Sequence, residues 1–158
     1  MRLSITVREK ENFKNVFFPF DVSQPIYVCD IGYHKTPPKH TFGPAIRPYY
    51  LLHLIESGKG VIKRNGETTH LSAGQAFLIR PDEITTYAAD EKEPWTYYWI
   101  AFNGPFATTL VKQCIQKLHM PYLKSGLITL KTAVNREFDG TVSLLNMLFE
   151  VLNALAKE

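Results

Sequence analysis

Apolar and polar positions follow two different periods along this chain. From about residue 24 to 103, apolar residues alternate with polar ones or gather in short runs broken by turn residues. From 104 onward they recur at intervals of three and four. These are the periods by which a strand and a helix each present one face to a core. The first regime predicts strands over residues 26–33, 49–56, 61–64, 67–71, 76–79, 84–88 and 95–102. Pro37-Pro38, Gly43-Pro44, the stretch 57–60 and Ser72-Ala73-Gly74 punctuate them. Asn65-Gly66 lies between two extended runs and predicts a tight hairpin, because both central residues must take positive φ. Short strands at this spacing predict a sandwich or small barrel.

The second regime predicts helices. Pro105 suits a first helical turn, where its missing N–H has no intrahelical role. Phe106, Leu110, Cys114 and Leu118 then share a face, with Ala107, Val111 and Ile115 beside them, and Met120-Pro121 ends the helix. The apolar run 127–130 reads as one more strand. The last helix is expected over 141–157, with Ser143, Asn146, Glu150, Asn153 and Lys157 as its one narrow polar stripe. So wide an apolar face predicts burial on two sides, by a further helix or a second subunit. Residues 1–23 read as an N-terminal arm, irregular and rich in phenylalanine (Phe13, Phe17, Phe18, Phe20). The expected organisation is an arm over 1–23, a barrel over 24–103, and a helical packing or dimerisation segment over 104–158.

Composition narrows the function classes. The chain has 158 residues, 45% hydrophobic and 21% charged, with net charge +3. Lys and Arg are scattered, so the chain offers no basic block for nucleic acid. No apolar run reaches membrane-spanning length and no secretory h-region opens the sequence, which predicts a cytoplasmic protein with no membrane partner. The two cysteines, Cys29 and Cys114, form no CxxC pair, and Cys114 reads as a small buried hydrophobe.

Small barrels often hold a catalytic metal on several converging histidines and a carboxylate. Here His34, His40, His53, His70 and His119 show no HxH spacing, and Thr85-Thr86 follows Pro81-Asp82-Glu83. His53, between Leu52 and Leu54, reads as a satisfied strand histidine. No nucleophile elbow, P-loop or dinucleotide fingerprint is present. The reading is therefore no metal, no cofactor, no catalytic residue and no enzyme.

What remains is an aromatic strand. Trp95, Tyr97 and Trp99 share one face of the run 95–102, and Tyr98, Ile100 and Phe102 the other. Tyr and Trp combine a large apolar body with one hydrogen-bonding group. That suits a sugar ring, which has C–H patches on its faces and hydroxyls around its edge. Arg47, just before the second strand, could add a fork of five donors.

Residues 42–53, Ser57-Gly58-Lys59-Gly60, residues 76–83 and residues 94–104, in this order, resemble the effector-binding domain of AraC-family transcription regulators. The resemblance is strongest to regulators of raffinose, melibiose and multiple-sugar operons in Gram-positive bacteria. It implies a mainly β, cupin-like double-stranded β-helix barrel (a jelly roll) followed by C-terminal α-helices. It also implies a mono- or oligosaccharide effector inside the barrel. In the arabinose regulator a Trp stacks on the sugar, and Trp99 matches it. Tyr97 stands where that regulator has a His, and Tyr87 matches a pocket Tyr. Arg47 matches the sugar-binding Arg across a loop of different length, which leaves Gly43 as the alternative at that position. Thr85-Thr86 replaces the usual His pair, so the effector is expected to differ from arabinose. The Trp95, Tyr97 and Trp99 face would line the pocket, and the other face would pack under the helices. The family implies a homodimer through C-terminal helices and DNA contact through a domain missing from this chain. The rival readings are a metal-dependent cupin enzyme and a freestanding carbohydrate-binding module.

Overall fold

The computed structural model describes residues 2–156. Their strands are β1 (Thr6–Lys10), β2 (Phe13–Phe17), β3 (Tyr27–Lys35), β4 (Thr41–Ala45), β5 (Tyr50–Ser57), β6 (Lys59–Arg64), β7 (Glu67–Ser72), β8 (Gln75–Ile79), β9 (Thr85–Ala89), β10 (Thr96–Asn103) and β11 (His119–Pro121). Helix α1 (Pro105–Cys114) precedes β11, and α2 (Lys124–Ala133) and α3 (Thr141–Asn153) follow it. One sheet has seven strands in the order β1-β2-β3-β10-β5-β8-β11, and the other has four, β4-β9-β6-β7. Every pairing between these strands is antiparallel. This is the expected cupin-like jelly roll with helices at its C-terminal end.

At its centre the larger sheet is buried on both faces, so β5, β8 and β10 are apolar almost throughout, as strands covered on two sides must be. Its inner face meets the smaller sheet around Leu51, Ile55, Ile62, Phe77, Ile79 and Trp95. Its outer face carries the helices over Leu52, Leu54, Leu78, Tyr98, Ile100 and Phe102. Each large apolar side chain so buried contributes about 1.5–3 kcal/mol.

The Asn65-Gly66 turn joins β6 to β7 with both residues at positive φ, as predicted. Gly104 opens α1 at φ 120, and a Cβ there would lie 2.3 Å from the carbonyl oxygen of Pro25. Only glycine accommodates that backbone and that neighbour. An ion cluster ties the smaller sheet to the turn before β9. The Arg64 guanidinium donates to one Glu83 carboxylate oxygen at 2.7 Å, and Arg80 donates to the other at 2.7 Å.

Several expectations are corrected. The arm is a β-hairpin: β1 and β2 pair with each other, and β2 extends the larger sheet beyond β3. Gly43-Pro44 does not end a strand. β4 runs through it, with a register shift between Phe42 and Ala45. Residues 127–130 belong to α2, because Leu127, Leu130 and Val134 form one helical face against the core. Helix α1 stops at Cys114, and it buries Ala107 and Val111. The Phe106 and Cys114 side is turned outward, which leaves Cys114 exposed. Helix α3 ends at Asn153, and Lys157 lies outside the described residues. Its Leu144, Met147, Leu148 and Val151 are buried, while Val142 and Phe149 remain exposed.

Candidate functional site

Strand register places the inward side chains of the larger sheet in rows. One row runs Arg8, Asn15, Gly32, Trp99, His53, Phe77 across β1, β2, β3, β10, β5 and β8. The next runs Lys10, Phe13, His34, Tyr97, Ile55. A third runs Phe17, Asp30, Ala101, Leu51, Ile79. Members of these rows line a cavity of about 380 Å³, closed on the other side by His40, Phe42, Arg47, Tyr49 and Tyr87. The hairpin β1–β2 is thus one wall of the cavity.

Gly32 is the gap that shapes this wall. The Trp99 indole lies across it, so a Cβ at Gly32 would come within 2.3 Å of Trp99 Cζ2 and of the Lys14 carbonyl oxygen. From that position the indole N–H donates to Asp30 Oδ1 at 2.8 Å. Burial pushes the Asp30 carboxyl up, while the Trp99 N–H and the Arg47 charge pull it back. Gly32→Ala is expected to lower the melting temperature and shift tryptophan fluorescence, with an overpacking cost of about 1–3 kcal/mol. An unchanged melting curve would show that Trp99 does not need this gap.

Deeper in the cavity, His53 stacks on Phe77 with ring centroids 4.3 Å apart, and meets Tyr87 and Tyr97 edge-on at 5.0 and 4.9 Å. Complete burial holds its imidazole well below the usual histidine range, and the Arg47 charge acts the same way. It is therefore neutral. Its Nδ1 has no partner in the protein, so the expected satisfied strand histidine is not what the fold provides. Burial also pushes the Tyr87 phenol up to about 12 and that of Tyr97 well above its ordinary value. Both act as neutral hydroxyls. The Arg47 guanidinium sits 4.4 Å over the Phe42 ring, and its Nη1 is buried without a partner. Asn15 Oδ1 is a third buried, unpartnered atom in this lining.

Of the residues singled out from sequence, Trp99, Tyr97, Tyr87 and Arg47 come together in the cavity. Trp95 does not. It shares the parity of Tyr97 and Trp99 but lies before β10 begins, where Gly60 of β6 closes over it; a Cβ there would lie 2.6 Å from its ring. It is wholly buried and stacked at 5.7 Å on Phe77, in the core beneath the cavity. Asn15, Asp30 and Gly32 were not singled out from the sequence, and His34, His40 and His53 were weighed there only as metal ligands and set aside. A lone Asp and a lone Gly inside the apolar run of β3 were readable signals, since glycine within a strand marks a close approach. Lys63 and Arg64, on the hairpin, lie outside the cavity lining, and Arg64 is paired with Glu83. Among the described residues no group of three or more His, Cys, Asp or Glu could hold a metal ion. No helix among them is long and apolar enough to cross a membrane.

A jelly-roll barrel with an aromatic internal cavity and unpaired polar atoms in its wall defines a ligand-binding barrel. The family described as AraC-like ligand binding domain matches residues 29–155, and the chain belongs to it. Two curated relatives are regulators of operons, not enzymes. The Msm operon regulatory protein of Streptococcus mutans is 39% identical over 65% of this chain and 37% of its own length. The lactose operon transcription activator of Staphylococcus xylosus is 36% identical over 56% of this chain and 29% of its own length. The chain thus spans about a third of the length of these relatives. Among solved structures, YhaK from Escherichia coli superposes with a TM-score of 0.52 at 17% identity, over 70% of this chain and 50% of that one. That likeness concerns the fold alone.

Proposed function

We propose that this domain senses a sugar bound inside the barrel, as the effector-binding part of a longer regulator of carbohydrate use. One observation carries the reading. Among the described residues, three of the four buried side-chain atoms without a partner, in Asn15, Arg47 and His53, belong to residues lining this one cavity. A buried polar atom left unpaired costs roughly 1–3 kcal/mol. Concentrating three of them at one place makes sense if ligand hydroxyls complete their bonding. Trp99 supplies a platform for a sugar's C–H face, and the neutral Tyr87 and Tyr97 supply hydroxyls that donate and accept. The relative named for the lactose operon supports a saccharide effector.

The hairpin wall and the helix floor offer a route for the signal. Phe13, Asn15 and Phe17 reach the cavity from the hairpin, so a ligand that contacts them favours the docked hairpin. The reverse face of β10 carries the helices, through which the domain would form a homodimer and reach a DNA-binding segment outside residues 1–158. Coupling of about 1–3 kcal/mol between ligand and such a rearrangement suffices for a switch.

A thermal-shift screen tests the reading. The panel spans neutral mono- and oligosaccharides together with sugar acids and sugar phosphates. A sugar at about 100 times its dissociation constant should add roughly 2.7 kcal/mol of stability. The gain should vanish in Arg47→Met, which removes the unpaired donor while keeping bulk over Phe42. A folded protein that no sugar stabilises would overturn the proposal.

A further inference from the structure

We propose that the effector is anionic, a sugar carrying a phosphate or carboxylate group, seated at the cavity mouth between the β1–β2 hairpin and the His34–His40 pair. This rests on the sugar-sensing reading above and narrows its substrate class. The charges of the lining are lopsided. Arg8, Lys10 and Arg47 face a single carboxylate, Asp30, which already accepts the Trp99 indole N–H. Elsewhere several cations have carboxylate partners, Arg2 with Glu137, Lys39 with Glu91, Lys59 with Glu93, Arg64 with Glu83 and Lys131 with Glu56, while others such as Lys63 stand singly on the surface rather than around one opening. Among the described residues, none of the three cavity cations has an ion-pair partner. One of them, Arg47, keeps a buried nitrogen without any partner.

Arg8 and Lys10 share the inward face of β1, two residues apart, and so overhang the same opening. Lys10 sits 5.2 Å over the Phe13 ring, and Phe13 meets His34 edge-on at 5.2 Å. His34 in turn contacts His40 at 4.7 Å and Tyr97 at 6.2 Å. The groups facing His34 are therefore Lys10, Phe13, His40 and Tyr97, and none of them is acidic. Two imidazoles in contact beside an ammonium form a poor resting place for protons and a good one for an anion. Burial, then His40 and Lys10, hold His34 down to about 4. His40 is lowered by burial and by Lys10. An anion at the mouth offsets the Lys10 charge and favours imidazolium, so binding takes up protons.

The test is calorimetric titration of the protein with galactose, galacturonate and galactose 6-phosphate. The expected result is that at least one charged sugar binds about tenfold or more tightly than galactose, a preference that added salt weakens. Whether the acid or the phosphate wins distinguishes the two sources of charge. The preference should disappear in Arg8→Gln/Lys10→Gln and persist in Lys63→Gln, which lies outside the cavity. Galacturonate stays ionised between pH 5 and 8, so tighter binding toward pH 5 reports proton uptake by the protein. Preference for neutral sugars, or a charge preference that survives the double substitution, overturns the inference and leaves sugar sensing standing. A folded protein that binds no sugar, charged or neutral, removes both.

Discussion

Trp95→Ala is expected to destabilise the domain by about 3–5 kcal/mol, the usual cost of emptying a large aromatic site in a core. The size follows from its surroundings. Trp95 is wholly buried, stacks on Phe77 and meets Tyr97 edge-on at 5.8 Å. Its backbone carbonyl also accepts the Thr36 hydroxyl at 2.7 Å, which fixes the strand entry and limits collapse into the hole. Urea denaturation followed by circular dichroism measures the loss. A loss below about 1 kcal/mol would mean that Tyr87 and Phe77 close the space, although a close-packed barrel relaxes only partly into such a hole. Trp95 does not line the cavity, so the protein that remains folded should bind ligand nearly as before. The substitution thus separates a tryptophan of the core from Trp99, its neighbour on the same face.

Glu83→Ala is expected to cost a comparable amount, about 3–5 kcal/mol, for an electrostatic reason. The side chains of Arg64 and Glu83 are only 10% and 8% exposed. Removing the carboxylate leaves the largely enclosed Arg64 guanidinium with no counter-charge, and it also frees the Arg80 backbone N–H, which donates to Glu83 at 3.2 Å. The Arg80 side chain, about half exposed, contributes little to the total. A double replacement, Arg64→Met with Glu83→Leu, should recover most of the loss, because the damage comes from one unpaired charge. If the single and double variants unfold at the same urea concentration, the pair is not what holds this turn.

Strands β3 and β5 to β10 were legible because turn residues bound them and apolar residues fill or alternate along most of them, whereas β4, which runs through Gly43-Pro44, was not. The β6–β7 hairpin was legible from two residues. The β1–β2 hairpin was not, since every residue of β1 is exposed and the strand exists only through its pairing with β2. The run 127–130 was ambiguous because three apolar residues and a threonine fit either period, and the choice depends on Val134 and the sheet beneath. Cys114 was misplaced because periodicity finds stripes on a helix without saying which one the sheet selects. In the site, parity along one strand grouped Tyr97 with Trp99. It could not tell that Gly60 closes the barrel over Trp95, nor that His53, Asn15 and Arg47 converge from three separate strands and loops. Those are long-range facts, set by register.

β10 stands at the centre of the larger sheet, and its alternation has a consequence for how such sensors diversify. Tyr97, Trp99 and Ala101 point to the cavity side, while Tyr98, Ile100 and Phe102 point to the helices. If the cavity holds the effector as proposed, odd positions would govern what is recognised, and even positions what is done about it. The two sets share a backbone but no side-chain contacts across it. Descendants of one ancestral sensor can exchange residues on one parity to meet a new nutrient while their output machinery stays unaltered.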